Sequence, residues 1–539
     1  MADVVNLDAL IPREDFLSPD QPNVSGGGES GKSDASVTDL TVGESFFSTM
    51  RKPDFQRETA AWSPMAVKDF VKAFIEDDLI PSVICWQSPS RLSFVIDGAH
   101  RLSAIIAWIL DDYGDGDLSQ KQYGYNVPEE QVRIARKTRD LIEDEIGSYK
   151  SFRAETAVPG SVPAVAKHVR ALAHSKIPLL WVKGNDSEKA ERAFFTINQS
   201  AVEIDATELK ILNARTKPNA IAGRAIVRNA SGHKYWKAFS VEGQSEIESQ
   251  SKEIYGLLYN PPLASPVRTE ELPVAGPGYG TQTLPLIFDF VNIANGLPVT
   301  DISKSKRKLT VSKQDKPKEA ETLSVMKNTI KMCRMITSTH SGSLGLHPAV
   351  YFYSSGARHQ PTTVLAIALL LSEIDKGNSF ISFAIVRKKF EDFLVFHKMY
   401  INQLTSRYGS MAKGYVQIRD YYSFILDRIS AGDNEAQVEE ALRNHERFQF
   451  LVKERPVASK RAKQFSGDAK QAKFMRDALD SAFVCGECGA RIDKKSMQLD
   501  HVDDKKDGGA ADIDNSRWLH PFCNSTYKDY RRENDLFGE

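Results

Sequence analysis

Two pairs of soft metal ligands stand near the C-terminal end, Cys485-Gly486-Glu487-Cys488 and His520-Pro521-Phe522-Cys523, each with two residues between its ligands. Such a knuckle brings two side chains to one tetrahedral ion, and two knuckles close a Cys3His zinc site. A module of about sixty residues rarely gains more than roughly 3–5 kcal/mol from its own core. Structural zinc contributes on the order of 10 kcal/mol or more, so zinc is the expected anchor. Different chemistry lies between and beyond the knuckles. Asp500 is a hard oxygen ligand, and His501 beside it exchanges a proton near neutral pH. Neighbours on a strand face opposite ways, so a twist or bulge is needed for both to serve one site. Gly508-Gly509 permits a tight loop back, and Asn515 can brace that loop through backbone hydrogen bonds. Asn524 follows the last zinc ligand and can present an amide oxygen at a helix start, with Lys528 one turn on. A zinc ribbon that only docks has no need of this series.

A second constellation lies in the N-terminal half. The apolar run Leu92–Ile96 leads into Asp97-Gly98-Ala99-His100-Arg101 and then a helical pattern. A strand–glycine–helix turn directs backbone N–H groups at an anion. Arg101 can bind a phosphate in bidentate fashion, and Asp97 can hold a metal ion or a ribose hydroxyl. Pro53-Asp54-Phe55-Gln56-Arg57 and Trp62 precede the turn, and Phe194-Phe195-Thr196-Ile197-Asn198-Gln199 follow it. The alternative is a polar turn capped by Asp97, with Arg101 in a surface ion pair. Gly26-Gly27-Gly28-Glu29-Ser30-Gly31-Lys32-Ser33 matches the P-loop expression literally, but no buried strand precedes it and no amphipathic helix follows. It reads as chance composition in a Gly/Ser-rich segment.

These side chains must be positioned by more than one core, because 539 residues exceed one domain of ordinary size. Residues 1–45 read as an N-terminal segment whose part from 17 to 45 is a flexible arm. Residues 46–240 alternate strand and helix patterns: strands at Ser82–Gln87, Leu92–Ile96 and Ile177–Val182, and helices at Ala99–Asp111 and from Ser187. Residues 241–432 are helical in period, with Phe380–Leu404 as one long helix and the apolar run Val364–Leu371 inside another. Residues 433–480 read as a charged helix and linker, and 481–539 as the zinc-stapled module.

Seventy basic and seventy-one acidic side chains give a formal charge of −1, so nucleic-acid binding needs local patches. Lys304–Lys318 carries seven basic residues in fifteen, and Lys453–Arg476 eight basic against two acidic. Lys460, Arg461 and Lys463 are the densest part of the second run, suited to DNA phosphates, with a plain solubilising linker as the alternative. Three of five cysteines fall in the C-terminal module, which fits metal binding in a reducing cytosol. No signal core or membrane span is apparent, so a cytoplasmic location is expected.

The C-terminal residues closely resemble the HNH (ββα-metal) nucleases. The resemblance implies that His501 is the general base, that Asp500 and Asn524 hold a catalytic Mg2+ or Mn2+, and that Asn515 orients the His501 loop. It also places a lysine such as Lys528 against DNA. His520 departs from the cysteine usual in the second knuckle, and can still bind zinc. The order of Gln56-Arg57, Trp62, Asp97-Gly98 with Arg101, and Phe194 through Asn198 resembles the DGQQR-motif family, whose fold is ParB/sulfiredoxin-like. Ala99-His100 replaces the usual Gln-Gln. This resemblance implies a nucleotide pocket using Gln56, Arg57, Asp97, Gly98, His100 and Arg101, with a nucleoside triphosphate bound and in some relatives hydrolysed. Members are often joined to HNH nucleases in bacterial phage defence, including restriction of modified DNA.

The expected protein is therefore multidomain α+β: a ParB/sulfiredoxin-like α/β domain, an all-α middle domain and an HNH module. Its expected role is a phage-defence endonuclease controlled by a nucleotide sensor, with DNA and nucleotide as partners, possible self-association and no membrane. Two rivals are a mobile-element HNH endonuclease with a DNA-binding N-terminal domain, and a non-cutting ParB-like regulator.

Overall fold

A computed structural model describes residues 3–16, 31–56, 58–125, 127–184, 187–201, 211, 214–264, 266–278, 280, 282–299, 317–452, 465–505 and 508–534. Arg57, the Lys304–Lys316 part of the first basic run, and Lys460, Arg461 and Lys463 lie outside the described residues.

The N-terminal half is built on a mixed six-stranded sheet: β1 (Arg13–Glu14), β2 (Asp34–Ala35), β3 (Met50–Pro53), β4 (Val83–Gln87), β5 (Ser93–Asp97) and β6 (Ile177–Val182). The strand order is β1-β3-β5-β4-β6-β2. β4 and β5 are antiparallel, while β3–β5 and β4–β6 are parallel. Period-two alternation sorts the central strands. Val83, Cys85 and Val95 enter one core with the helices Pro64–Ile75 and Ala99–Leu110. Trp86, Phe94 and Ile96 enter another with Phe16, Phe55 and Phe194. The sheet is covered on both faces, which explains why β5 reads as an unbroken apolar run.

Residues 31–45, read from composition as the end of a flexible arm, are instead packed. Ala35 and Leu40 are fully buried, and β2 pairs with β6. The lysine of the P-loop-like sequence, Lys32, is ion-paired to Asp39, and the Lys32 carbonyl accepts from Trp181 Nε1 at 2.7 Å. A few apolar residues at the right register outweigh the polar composition around them.

The second half is helical, with one large core. Helices Val241–Tyr259, Thr283–Ala294, Glu319–Ile336 and Pro361–Lys376 coincide with periodic segments. Phe380–Leu404 is two helices, Phe380–Phe396 and Met399–Tyr408. At the break the ammonium of buried Lys398 turns inward to the carbonyls of Ala349, Val350 and Tyr353. The helical core also begins earlier than position 241. Helix Pro218–Val227, Trp236 and Phe239 pack into it, whereas among the described residues the two cores of the sheet domain reach as far as Leu179 and Phe194.

The C-terminal module is not a free-standing bead. Cys485, Ile492, Leu519, Phe522 and Tyr527 belong to the same buried cluster as the helical domain. The loop 337–346 is its cradle: Phe522 N–H donates to Ser343 O at 2.9 Å, and Ser338 N–H donates to Ser496 Oγ at 2.9 Å. Arg387, 1% exposed, pairs with Glu391 and donates to the carbonyls of Leu344 and Gly345 on one side and Arg491 on the other.

Candidate active site and metal centre

Two short antiparallel strands, β7 (Gln498–His501) and β8 (Ser516–Leu519), precede a helical stretch that runs through Cys523–Tyr527 and Lys528–Glu533. Asp500 pairs with Arg517 and His501 with Ser516. Behind this ββα unit the ligand atoms of Cys485, Cys488, His520 and Cys523 lie within 4.8 Å of one another. His520 Nδ1 is 3.4 Å from Cys488 Sγ and 3.7 Å from Cys523 Sγ. Its Nε2 donates to the Arg491 carbonyl at 3.1 Å. That backbone contact fixes the tautomer a zinc-bound histidine needs, with Nδ1 left for the metal.

The electrostatics of the cluster also call for a cation. Hydrogen bonds from Cys488 and Cys523 hold the Cys485 thiol far below its ordinary range. The same contact with Cys485 pushes Cys488 up to about 12, and bonds to Cys485 and Cys488 push Cys523 well above its usual value. Burial lowers His520. Three thiols around a neutral imidazole can share one negative charge by themselves, and more than one only around a positive ion. The donor set can hold Zn2+.

On the other side of the hairpin, the sequence-predicted divalent-ion ligands come together. Gln498 and Asp500, two apart on β7, share the strand face turned to the helix. Gln498 Oε1 accepts from Asn524 Nδ2 at 3.0 Å, which orients the Asn524 amide with its Oδ1 toward Lys528. The Lys528 ammonium donates to Asp500 Oδ2 at 2.8 Å and to Asn524 Oδ1 at 3.3 Å. Lys528 therefore turns toward Asp500 and Asn524, with its side chain 12% exposed. Its charge stands where two oxygen ligands converge, which is the fit expected of a site for a divalent cation.

His501 ends β7 half-buried, and its imidazole has no hydrogen-bond partner among the described residues. The loop beyond it is closed by Asn515. That amide accepts from Asp503 N–H at 2.7 Å and donates to the carbonyls of Asp503 at 3.1 Å and Ala510 at 2.7 Å. A Cβ at Gly509 would lie 1.9 Å from Asp503 O, so the return requires glycine there.

Sequence reasoning missed Glu487, inside the first knuckle. Its carboxylate is buried and bridges Arg517, at 2.6 Å, to Arg531, at 3.2 Å. It ties the knuckle to both β8 and the last helix. No local signal distinguishes it from a surface glutamate. Gln498 was missed too, and the signal that could have found it is the strand period it shares with Asp500.

In the N-terminal half the turn after β5 is as drawn from sequence. Gly98 has φ +93° and caps helix Ala99–Leu110, and a Cβ there would lie 2.8 Å from Val83. Gln56 Nε2 donates to the Ile96 carbonyl at 3.5 Å, which brings Gln56 to the end of β5. His100 stacks on Trp62 with ring centroids 5.7 Å apart. Arg101 is ion-paired to Asp97 and donates to the Ser82 carbonyl. The structure thus gathers Gln56, Asp97, Gly98, His100 and Arg101, with Asp97 and Arg101 engaged with each other.

The sequence matches two family models. Residues 40–216 match the GmrSD restriction endonuclease N-terminal domain, and residues 485–529 match the HNH endonuclease. No curated protein and no solved structure matches the chain. No helix among the described residues is long and apolar enough to cross a membrane. The first match begins inside the packed residues 31–45 and ends just before helix Pro218–Val227, which packs into the helical core. The chain joins a GmrSD N-terminal domain to a C-terminal HNH endonuclease domain, and its enzymatic class is DNA endonuclease.

Proposed function

We propose that this protein is a phage-defence restriction endonuclease that cleaves DNA with one divalent ion and is controlled by nucleotide bound in its N-terminal domain. The observation that carries the reading is the convergence of Asp500 and Asn524 on one cation beside His501, on a hairpin braced by a site able to hold zinc.

Asp500 and Asn524 would hold the ion, which when bound supplies positive charge to the phosphate as negative charge develops on it. His501, with no hydrogen-bond partner among the described residues, takes the proton from the attacking water. Asn515 holds the loop that carries His501 into place. Lys528 would give up the ligand oxygens to a bound ion and could then neutralise a phosphate oxygen.

At the other end, Gly98 and the start of helix Ala99–Leu110 offer N–H groups to a triphosphate. Arg101, already held by Asp97 and Ser82, is pre-positioned as its charge partner. Modified DNA is the proposed target, by the kinship of the N-terminal domain. The test is cleavage of plain and modified plasmid by purified protein with Mg2+ or Mn2+, with and without each nucleoside triphosphate. Absence of metal-dependent cutting of any substrate would sink the reading.

A further inference from the structure

A second convergence of metal-binding side chains lies away from the knuckles, on the segment that leaves the helical core for the nuclease. His397 closes the helix Phe380–Phe396, and its Nε2 lies 3.1 Å from a Glu439 oxygen and 3.4 Å from a Glu435 oxygen. The three ligand atoms all lie within 4.8 Å of one another. Glu435 and Glu439 are one turn apart on the helix Glu435–Asn444, so their carboxylates share a face that a cation can bridge.

The ring is held in place for such a role. Tyr400 stacks on it at 4.7 Å, and Phe393 lies against it at 4.2 Å. His397 and Glu439 are buried, and Arg443 engages Glu439 Oε2 at 2.8 Å while Oε1 is turned toward the imidazole. Fixed orientation by outer partners is how metal ligands are usually held. The Glu435 carboxylate is 52% exposed and gives an ion access from solvent. A cavity of about 340 Å³ alongside shares Tyr400 and Arg443 with the cluster.

We propose that His397, Glu435 and Glu439 form a second divalent-cation site, selective for a first-row ion such as Zn2+. One imidazole nitrogen and two carboxylates suit Zn2+ or Mn2+ better than the all-oxygen cations Ca2+ and Mg2+. The ion clips the start of the charged segment to the helix whose Arg387 and Glu391 grip the nuclease module.

The test uses the full-length chain, dialysed against a weak chelator, loaded with Zn2+ and counted by elemental mass spectrometry. Glu435→Gln and His397→Ala should each bind one zinc fewer per chain than the parent. The knuckle ligands and the Asp500–Asn524 pair are unchanged in both, so the difference reports this cluster alone. Glu435 is half exposed, so its variant folds even if replacement of buried His397 does not. Added Zn2+ should also raise the melting temperature of the parent more than that of Glu435→Gln. Equal zinc content and equal melting shifts would reduce the cluster to a histidine–glutamate ion pair and overturn the proposal.

Discussion

The Lys528 ammonium lies 2.8 Å from the Asp500 carboxylate, across the gap between hairpin and helix where the divalent ion is proposed to sit. Lys528, with Arg517 farther off at 3.8 Å, balances Asp500 in the ion's place, so it competes with the ion for the same oxygen. Lys528→Met should therefore tighten Mg2+ or Mn2+ binding, read by titration, while slowing cleavage through loss of a phosphate contact. A variant with weaker metal binding would show that Lys528 supports the site instead of competing for it.

His501→Ala should reduce plasmid cleavage about 10²–10⁴-fold, the usual effect of removing a general base. Zinc content and the melting curve should match the parent, because His501 has no hydrogen-bond partner among the described residues. Unaltered cleavage would remove His501 from the mechanism.

Asn515→Ala deletes three hydrogen bonds that close the loop 503–515. The site is exposed, so global stability should fall by only about 1 kcal/mol. Cleavage should fall much further than stability, since the loop that positions His501 loosens. Measuring kcat against chemical denaturation separates the two.

Cys488→Ser should release zinc and melt the C-terminal module. Because that module shares the helical core and is held through Arg387 to the Arg491 carbonyl, the helical domain should also lose stability. Hydrogen exchange in the loop 337–346 is the reporter. Protection there that is unchanged after zinc loss would contradict the shared core.

Acid should destabilise the helical domain before the usual carboxylate range. Burial lowers His347 to about 3 and His359 to about 4 from 6.5. The unfolded chain then binds protons that the folded one refuses, so stability is full above pH 6.5 and is lost as pH falls toward 4. The slope should approach about 1.4 kcal/mol per pH unit for each histidine. His347→Asn should flatten the melting temperature over that window.

Arg101→Ala should weaken binding of labelled nucleoside triphosphate at least tenfold, by loss of a charge-assisted pair worth about 1.5–3 kcal/mol. Zinc content should not change. Equal binding by parent and variant, or none by either, would leave the N-terminal domain as a reader of DNA.

The sequence alone determined what depends on short-range spacing. The two knuckles, the Asp500-His501 pair, Gly508-Gly509, Asn515 and Asn524 sit at separations set by one hairpin and one helix turn. Strands β4 and β5 and the turn at Gly98 were legible because both faces of the central sheet are covered and the chain must turn at a glycine; β6 was legible from its apolar run, though Leu180 is exposed. Long-range packing decided the rest. Residues 31–45 looked flexible by composition, yet β2 finds an open edge on β6, which no local window contains. Lys398 splits one periodic stretch into two helices because three carbonyls far away in sequence satisfy its charge. The nuclease module looked self-contained, but its apolar face is completed by helices a hundred residues upstream. The inward turn of Lys528 and the buried bridge of Glu487 are likewise tertiary facts. A charged side chain goes where its counter-charge is, and the sequence does not say where that will be.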